Sequence, residues 1–305
     1  MATVAQWIEG ARLRTLPLAA APIVAGSAAA YQLGEFMPLR ALLAFLVAFF
    51  LQVGVNYAND YSDGVKGTDE VRVGPLRLVG SGAASPGQVK AAALICFALA
   101  GLSGLALIYL AQQWWFLAIG ASAVLAAWGY TGGKHPYGYM GLGDLFVFIY
   151  FGLVATLGTM FTQTAQLTLT SWVFALSLGL FSCALLMANN VRDIPTDRLV
   201  GKKTLAVRLG DRGSRITYAL EMALGLGLTL LLIPSNPWFA LVFVLIGPLL
   251  HSCLLVLSGA QGPQLIPVLK QAGLLALVYS LLVTLALVVQ PLEIFAEQVT
   301  VFTGY

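Results

Sequence analysis

The sequence predicts an all-α polytopic membrane protein with nine transmembrane helices and a cytoplasmic N-terminus. Three observations carry that expectation. The 305-residue chain is 59% hydrophobic and only 10% charged, where soluble domains carry about 25% charge. Its apolar residues fall into nine runs, each close to the ~20 residues that a spanning helix needs. Lys and Arg collect in alternate connections, as the positive-inside bias requires. Alternating strand patterns are absent, so the spans are helices rather than barrel strands. A single integral-membrane domain, 1–305, accounts for the whole chain.

The runs lie near 16–33, 38–58, 91–110, 114–131, 143–162, 170–190, 216–233, 237–257 and 272–290. Arg12 and Arg14 precede the first run, whose apolar core and Ala-x-Ala ending imitate a signal peptide. It reads as an uncleaved helix, because losing one span would spoil the charge alternation of the rest. The second run carries Arg40 near its start, on the opposite side, and closes in "NYANDYSDGVKGTDE". Lys66, Arg72, Arg77 and Lys90 separate it from the third, and the uncharged "AQQ" leads to the fourth. "YTGGKHPYGYMGLGD", with Lys134 and turn-forming Gly and Pro, leads to the fifth. "TQTAQLT" leads to the sixth, which closes in "NNVRDIPTD". Arg192, Arg198, Lys202, Lys203, Arg208, Arg212 and Arg215 precede the seventh, "PSNP" the eighth and Lys270 the ninth. The bias places the N-terminus in the cytoplasm and "EIFAEQVTVFTGY" on the opposite side. The expected location is the plasma membrane, with the bilayer as surroundings, no nucleic-acid partner and no obligatory protein partner.

Two connections, 59–90 and 191–215, are long, and each begins with acids and continues with bases. Successive residues on a helix advance by ~100°, so Asn56, Asn59, Asp60 and Asp63 share one face. Asn189, Asn190, Asp193 and Asp197 share another on the sixth helix. The two Asn-x-x-x-Asp patterns look like a diverged repeat. Carboxylates this close to lipid are expensive and mark function. A pocket lined by both faces repels itself unless a cation is present, and hard oxygen donors select Mg²⁺ or Ca²⁺ over zinc. Lys66, Arg72 and Arg77 after the first cluster, and Arg198, Lys202 and Lys203 after the second, suit an anion of the diphosphate type. Departure of diphosphate develops charge that metal and basic side chains stabilise together. The three cysteines, Cys96, Cys183 and Cys253, sit in apolar runs without partner spacing, so neither a disulfide nor a thiolate metal site is expected. His251 reads as packed, and His135 stands alone in a loop.

On these motifs the chain resembles the UbiA superfamily of intramembrane prenyltransferases, and within it the 1,4-dihydroxy-2-naphthoate prenyltransferases of menaquinone biosynthesis. The resemblance runs from about Arg12 to the ninth run. It rests on "RLRTLPLA", "NYANDYSDGVKGTDE", "GPLRLVGSG", "KHPYGYMGLGD" and "NNVRDIPTDRLVGKKTLAVRLG". It implies nine helices around a central cavity, a site at the cytoplasmic side and a lateral opening for a lipid tail. It further implies Mg²⁺ as cofactor, a polyprenyl diphosphate as donor and 1,4-dihydroxy-2-naphthoate as aromatic acceptor.

Asn59, Asp60, Asp63, Asn189, Asp193 and Asp197 are then the expected metal-binding set, with Asp63, Asp193 and Asp197 catalytic. Lys66, Arg72, Arg77, Lys134, Arg198 and Lys203 are expected on the diphosphate. Arg14, Tyr130, Tyr137, Tyr139 and Asp144 are expected around the acceptor. Many relatives carry a third Asp in the first motif where this chain has Gly67, and Asp60 and Asp69 are the acids nearby. Two alternatives stay open: another aromatic acceptor, such as 4-hydroxybenzoate or homogentisate, and a cation-coupled transporter. A transporter would place its acids at the midplane on broken helices, whereas these lie at helix ends.

Overall fold

The computed structural model describes residues 2–67 and 76–290. Asp69, Glu70, Arg72 and the C-terminal segment from 291 onward lie outside the described residues.

A capping box opens α1 (Val4–Ala11), in which Thr3 and Gln6 satisfy each other's backbone N–H groups. At Arg12 the backbone turns left-handed, with φ 53°, and a short 3-10 turn leads into α2 (Leu16–Gln32). Pro17 fits there because the first helical turn has no N–H partner to lose. Then follow α3 (Pro38–Val65), α4 (Pro86–Ala111), α5 (Phe116–Gly129), α6 (Gly143–Thr164), α7 (Leu169–Leu199), α8 (Leu205–Leu232), α9 (Pro237–Leu257) and α10 (Gly262–Val289).

Among the described residues, eight helical stretches are long and apolar enough to cross a membrane: α1 with α2, then α3, α4 and α6–α10. The fourth expected run forms α5, which has only 14 residues. The polar motifs do not end their helices. α3 runs past Asp63 to Val65 and α7 runs past Asp197 to Leu199. α3 closes at Gly67, whose φ of 70° turns the chain left-handed, a conformation that side chains disfavour. Gly67 therefore serves as a helix stop.

One core is shared by α2, α7, α8, α9 and α10, with Phe174, Phe181, Tyr218 and Tyr279 fully buried in it. A second joins α1, α3 and α4 through Ala11, Val53, Tyr57, Leu78 and Phe97. Glycines allow the closest helix crossings. A Cβ on Gly26 of α2 would lie 2.4 Å from the Thr156 carbonyl oxygen. A Cβ on Gly152 of α6 would lie 2.5 Å from Gly179 Cα of α7. Such small-residue crossings are how membrane helices gain packing without a hydrophobic drive between them. Gly152 lies in a seven-residue π-helical segment, Phe148–Val154. At the far end of the bundle, Arg40 donates to the Leu110 and Thr162 carbonyl oxygens at 2.7 and 2.8 Å. It thus ties together the C-terminal ends of α4 and α6, where a cation is favoured.

Candidate active site

Where the two packed groups meet, α2–α7 enclose a cavity of about 630 Å³. One end is polar and the rest is apolar. The polar end carries Asn59 and Asp63 from α3 and Asn189, Asp193 and Asp197 from α7. The continued helices put these side chains on the wall: both polar motifs sit on α-helical turns, so their four-residue spacing keeps them on one face. Arg77, Tyr130, Tyr137, Tyr139 and Lys202 complete that end from three connecting segments.

Asp63 is the hub. The Tyr139 hydroxyl donates to its Oδ1 at 2.5 Å, Lys202 Nζ lies 3.4 Å from the same oxygen, and Arg77 lies 3.8 Å from Oδ2. Asn59 Oδ1 accepts from the Thr131 hydroxyl at 2.7 Å. On α7, Arg192 grips both oxygens of Asp193 at 2.7 and 2.8 Å and also reaches Asn189 Oδ1 at 2.9 Å. A bidentate Arg–carboxylate pair fixes orientation as well as charge.

Asp60 departs from the metal-binding expectation. Both of its oxygens accept from backbone, Leu78 N–H at 2.7 Å and Val79 N–H at 3.0 Å, and it is absent from the cavity wall. It sits at the edge of the polar arc, ~40° from Asn56 at ~100° per residue, and so faces the returning loop. Its work is to dock that loop, which carries Arg77 to the site. Asn56 lines the cavity, but its amide donates to Ala11 O at 2.9 Å and ties α3 to the end of α1.

Of the expected diphosphate set, Arg77 is buried in the wall. Lys66 stands at the rim: Nζ donates to Thr131 O at 2.7 Å and lies 5.0 Å from the Tyr139 ring centroid. Desolvation draws the Lys66 ammonium below its ordinary range, while Asp63 acts in the opposite direction. Lys134, Arg198 and Lys203 are exposed and off the wall, and Arg72 lies outside the described residues. The cavity instead receives Lys202, buried and 4.5 Å from the Tyr139 ring. Gly201, at φ 73°, reverses the chain just before it, and Lys203 N–H pairs with Tyr139 O at 2.9 Å. That pairing sends successive side chains to opposite sides.

Of the expected acceptor set, Tyr130, Tyr137 and Tyr139 line the cavity. Tyr137 stacks on Phe146 at 4.0 Å and meets Tyr130 edge-on at 5.5 Å. Burial pushes the Tyr137 phenol up, so it stays protonated. Arg14 and Asp144 depart from the expectation. The turn at Arg12 puts Arg12 on the wall and leaves Arg14 exposed. Asp144 is buried off the cavity beside Cys183, whose thiol donates to its backbone oxygen at 3.2 Å.

Among the described residues, no three Asp, Glu, His or Cys side chains converge as a ready-made metal cage. The donors on the wall are nonetheless all hard oxygens, from two acid–amide faces opening on one space. This fits Mg²⁺, which takes one or two carboxylates and completes its shell with water and substrate phosphates.

Residues 19–264 match the model of the UbiA prenyltransferase family. The chain is 49% identical over 287 residues to the 1,4-dihydroxy-2-naphthoate octaprenyltransferase of Mycobacterium tuberculosis, covering 94% of this chain and 98% of that one. It is 44% identical over 219 residues to the Escherichia coli enzyme of the same name, covering 70% and 71%. Its fold is similar to that of a UbiA homolog from Archaeoglobus fulgidus bound to DMAPP and Mg²⁺, with TM-score 0.62, 16% identity and coverage of 91% and 99%. The polytopic helical bundle around a half-polar cavity and the match across most of its length agree: the chain belongs to the UbiA prenyltransferase family.

Proposed function

We propose that this protein transfers a polyprenyl group from a polyprenyl diphosphate to 1,4-dihydroxy-2-naphthoate, releasing diphosphate and CO₂ and giving demethylmenaquinol. The observation that carries this reading is the cavity's division into an acid–amide–cation head and an apolar trunk. The names of the relatives above supply the acceptor.

Asn59, Asp63, Asn189, Asp193 and Asp197 would hold Mg²⁺ against the donor's phosphates. When bound, the metal neutralises charge on the diphosphate and makes it a better leaving group. Arg77 and Lys202 add fixed positive charge on the same oxygens. The C–O bond breaks with its electron pair going to diphosphate. The allylic cation that remains faces apolar walls that exclude water. The ring carbon bearing the carboxylate attacks it, forming the new C–C bond. The carboxylate then leaves as CO₂, and the electrons of that bond restore the aromatic ring. No enzyme nucleophile is needed. Tyr130, Tyr137 and Tyr139 are placed to flank the acceptor. The Lys and Arg bias supports a polar end that faces the cytoplasm, in the plasma membrane.

Proteoliposomes of the purified chain test this with labelled prenyl diphosphates and a panel of aromatic acceptors. Transfer to dihydroxynaphthoate is expected in Mg²⁺, lost with a chelator and restored by added Mg²⁺. Transfer to 4-hydroxybenzoate alone overturns the acceptor, full turnover in chelator overturns the metal, and no transfer to any acceptor overturns the reading.

The two adjacent lysines give a sharper check. Lys202→Ala is expected to lower kcat/KM for the donor by about 10–100-fold, as loss of a buried cation on the leaving group should. Lys203→Ala should stay within about twofold, as an exposed side chain off the cavity should. Equal losses in both variants would contradict the placement of the diphosphate.

A further inference from the structure

We propose that Gly120 of α5 and Gly104 of α4 keep open two successive levels of the space that takes the donor tail, and so set the tail length admitted; this rests on the function proposed above. Both glycines line the cavity. Glycine weakens a helix interior, so its presence there calls for a reason. At Gly26 and Gly152 the reason is close packing: an added Cβ would collide with a neighbouring helix. At Gly120 an added Cβ meets nothing within 4 Å, and at Gly104 it meets only Val47 Cγ2 at 3.7 Å. No helix contact demands a glycine at either place. What their missing side chains leave is open space on the cavity wall.

The two positions lie at different depths. At ~1.5 Å per residue, Gly120 is ~14 Å along α5 from Gly129, at the polar end. By the same rise, Val47, which faces Gly104, is ~24 Å along α3 from Asp63. A tail that follows the trunk passes Gly120 first and Gly104 second. A leucine at either level occupies space that the tail would fill, and a deeper block admits a longer tail.

The test is a donor series, from geranyl through farnesyl to octaprenyl diphosphate, presented with dihydroxynaphthoate to the full chain in proteoliposomes. Products are resolved by mass, and each variant is read as its ratio of octaprenyl to geranyl transfer. Gly120→Leu and Gly104→Leu are expected to lower that ratio by about tenfold or more, the scale on which an apolar pocket separates chain lengths. Gly104→Leu should accept longer donors than Gly120→Leu. Gly120→Ala, a milder step, should shift the ratio in the same direction while overall activity is retained. Gly227→Leu, open but off the cavity, should leave the ratio unchanged. Unchanged ratios in the Gly120 and Gly104 variants overturn the proposal, whatever their total activity. Equal cut-offs at both positions overturn the ordering and mean that the tail leaves the trunk above Gly104. A wild-type chain that transfers no prenyl group from any donor refutes the functional reading instead.

Discussion

Asp63→Asn and Asp193→Asn should each lower prenyl transfer by at least about 10³-fold, the scale expected when a charge that organises a reacting phosphate is removed. Asparagine keeps the size and most of the hydrogen bonding, so what is lost is charge. At position 63 the loss leaves Lys202 and Arg77 facing a neutral amide. At position 193 it leaves the guanidinium of Arg192 buried without its carboxylate. Both changes should also weaken Mg²⁺-dependent donor binding, measurable by titrating the inserted protein. Asp60→Asn supplies the contrast. Its carboxylate holds Leu78 and Val79 N–H, and an amide can accept only one of those two bonds. The expected result is a stability loss of about 1–3 kcal/mol, with transfer per folded molecule retained. Near-normal turnover in Asp63→Asn or Asp193→Asn would remove the basis for the proposed site.

Gly152→Val should destabilise the fold by about 3 kcal/mol or more, because overpacking against fixed backbone has no easy relief. Its Cβ would lie 2.5 Å from Gly179 Cα and 2.8 Å from Ala175 O. Both are backbone atoms of α7, so α6 and α7 must move apart. Gly158→Ala, one helix turn and a half further along α6, meets only the edge of Phe116 at 3.4 Å and should be nearly neutral. Thermal unfolding in detergent compares the two. A Gly152→Val protein that melts like the wild type would mean that the crossing is looser than described.

Much of the bundle was legible in hydropathy. The run at 16–33 became Leu16–Gln32, and that at 170–190 became the membrane part of Leu169–Leu199. Hydropathy could not show that α3 and α7 continue as helix through their polar motifs, because a helix that leaves lipid keeps its geometry while its composition changes. The helical spacing of Asn59 and Asp63 did show it, and that periodicity brought both motifs to one cavity. The errors arose where a tertiary partner decides the matter. Asp60 differs from Asp63 only in what lies opposite. Lys202 and Lys203 are adjacent, and only the pairing of Lys203 with Tyr139 turns one inward. Arg12 replaces Arg14 on the wall because the backbone turns left-handed at Arg12. Arg192 has a signal in the sequence, an arginine between Asn189 and Asp193, but the positive-inside bias accounts for an arginine there equally well.

The short helix α5 has a consequence for the lipid. Its 14 residues extend only ~21 Å at ~1.5 Å each, against a hydrocarbon layer ~30 Å thick. Trp114 and Trp115 stand exposed at its start, side chains that favour the headgroup boundary. A helix this short is accommodated by local thinning of the bilayer or by snorkelling of its flanking side chains, and each ångström of such hydrophobic mismatch carries a fraction of a kcal/mol. Any such thinning would bear on the wall containing Gly120, so membrane thickness would act as a mechanical load on that part of the cavity.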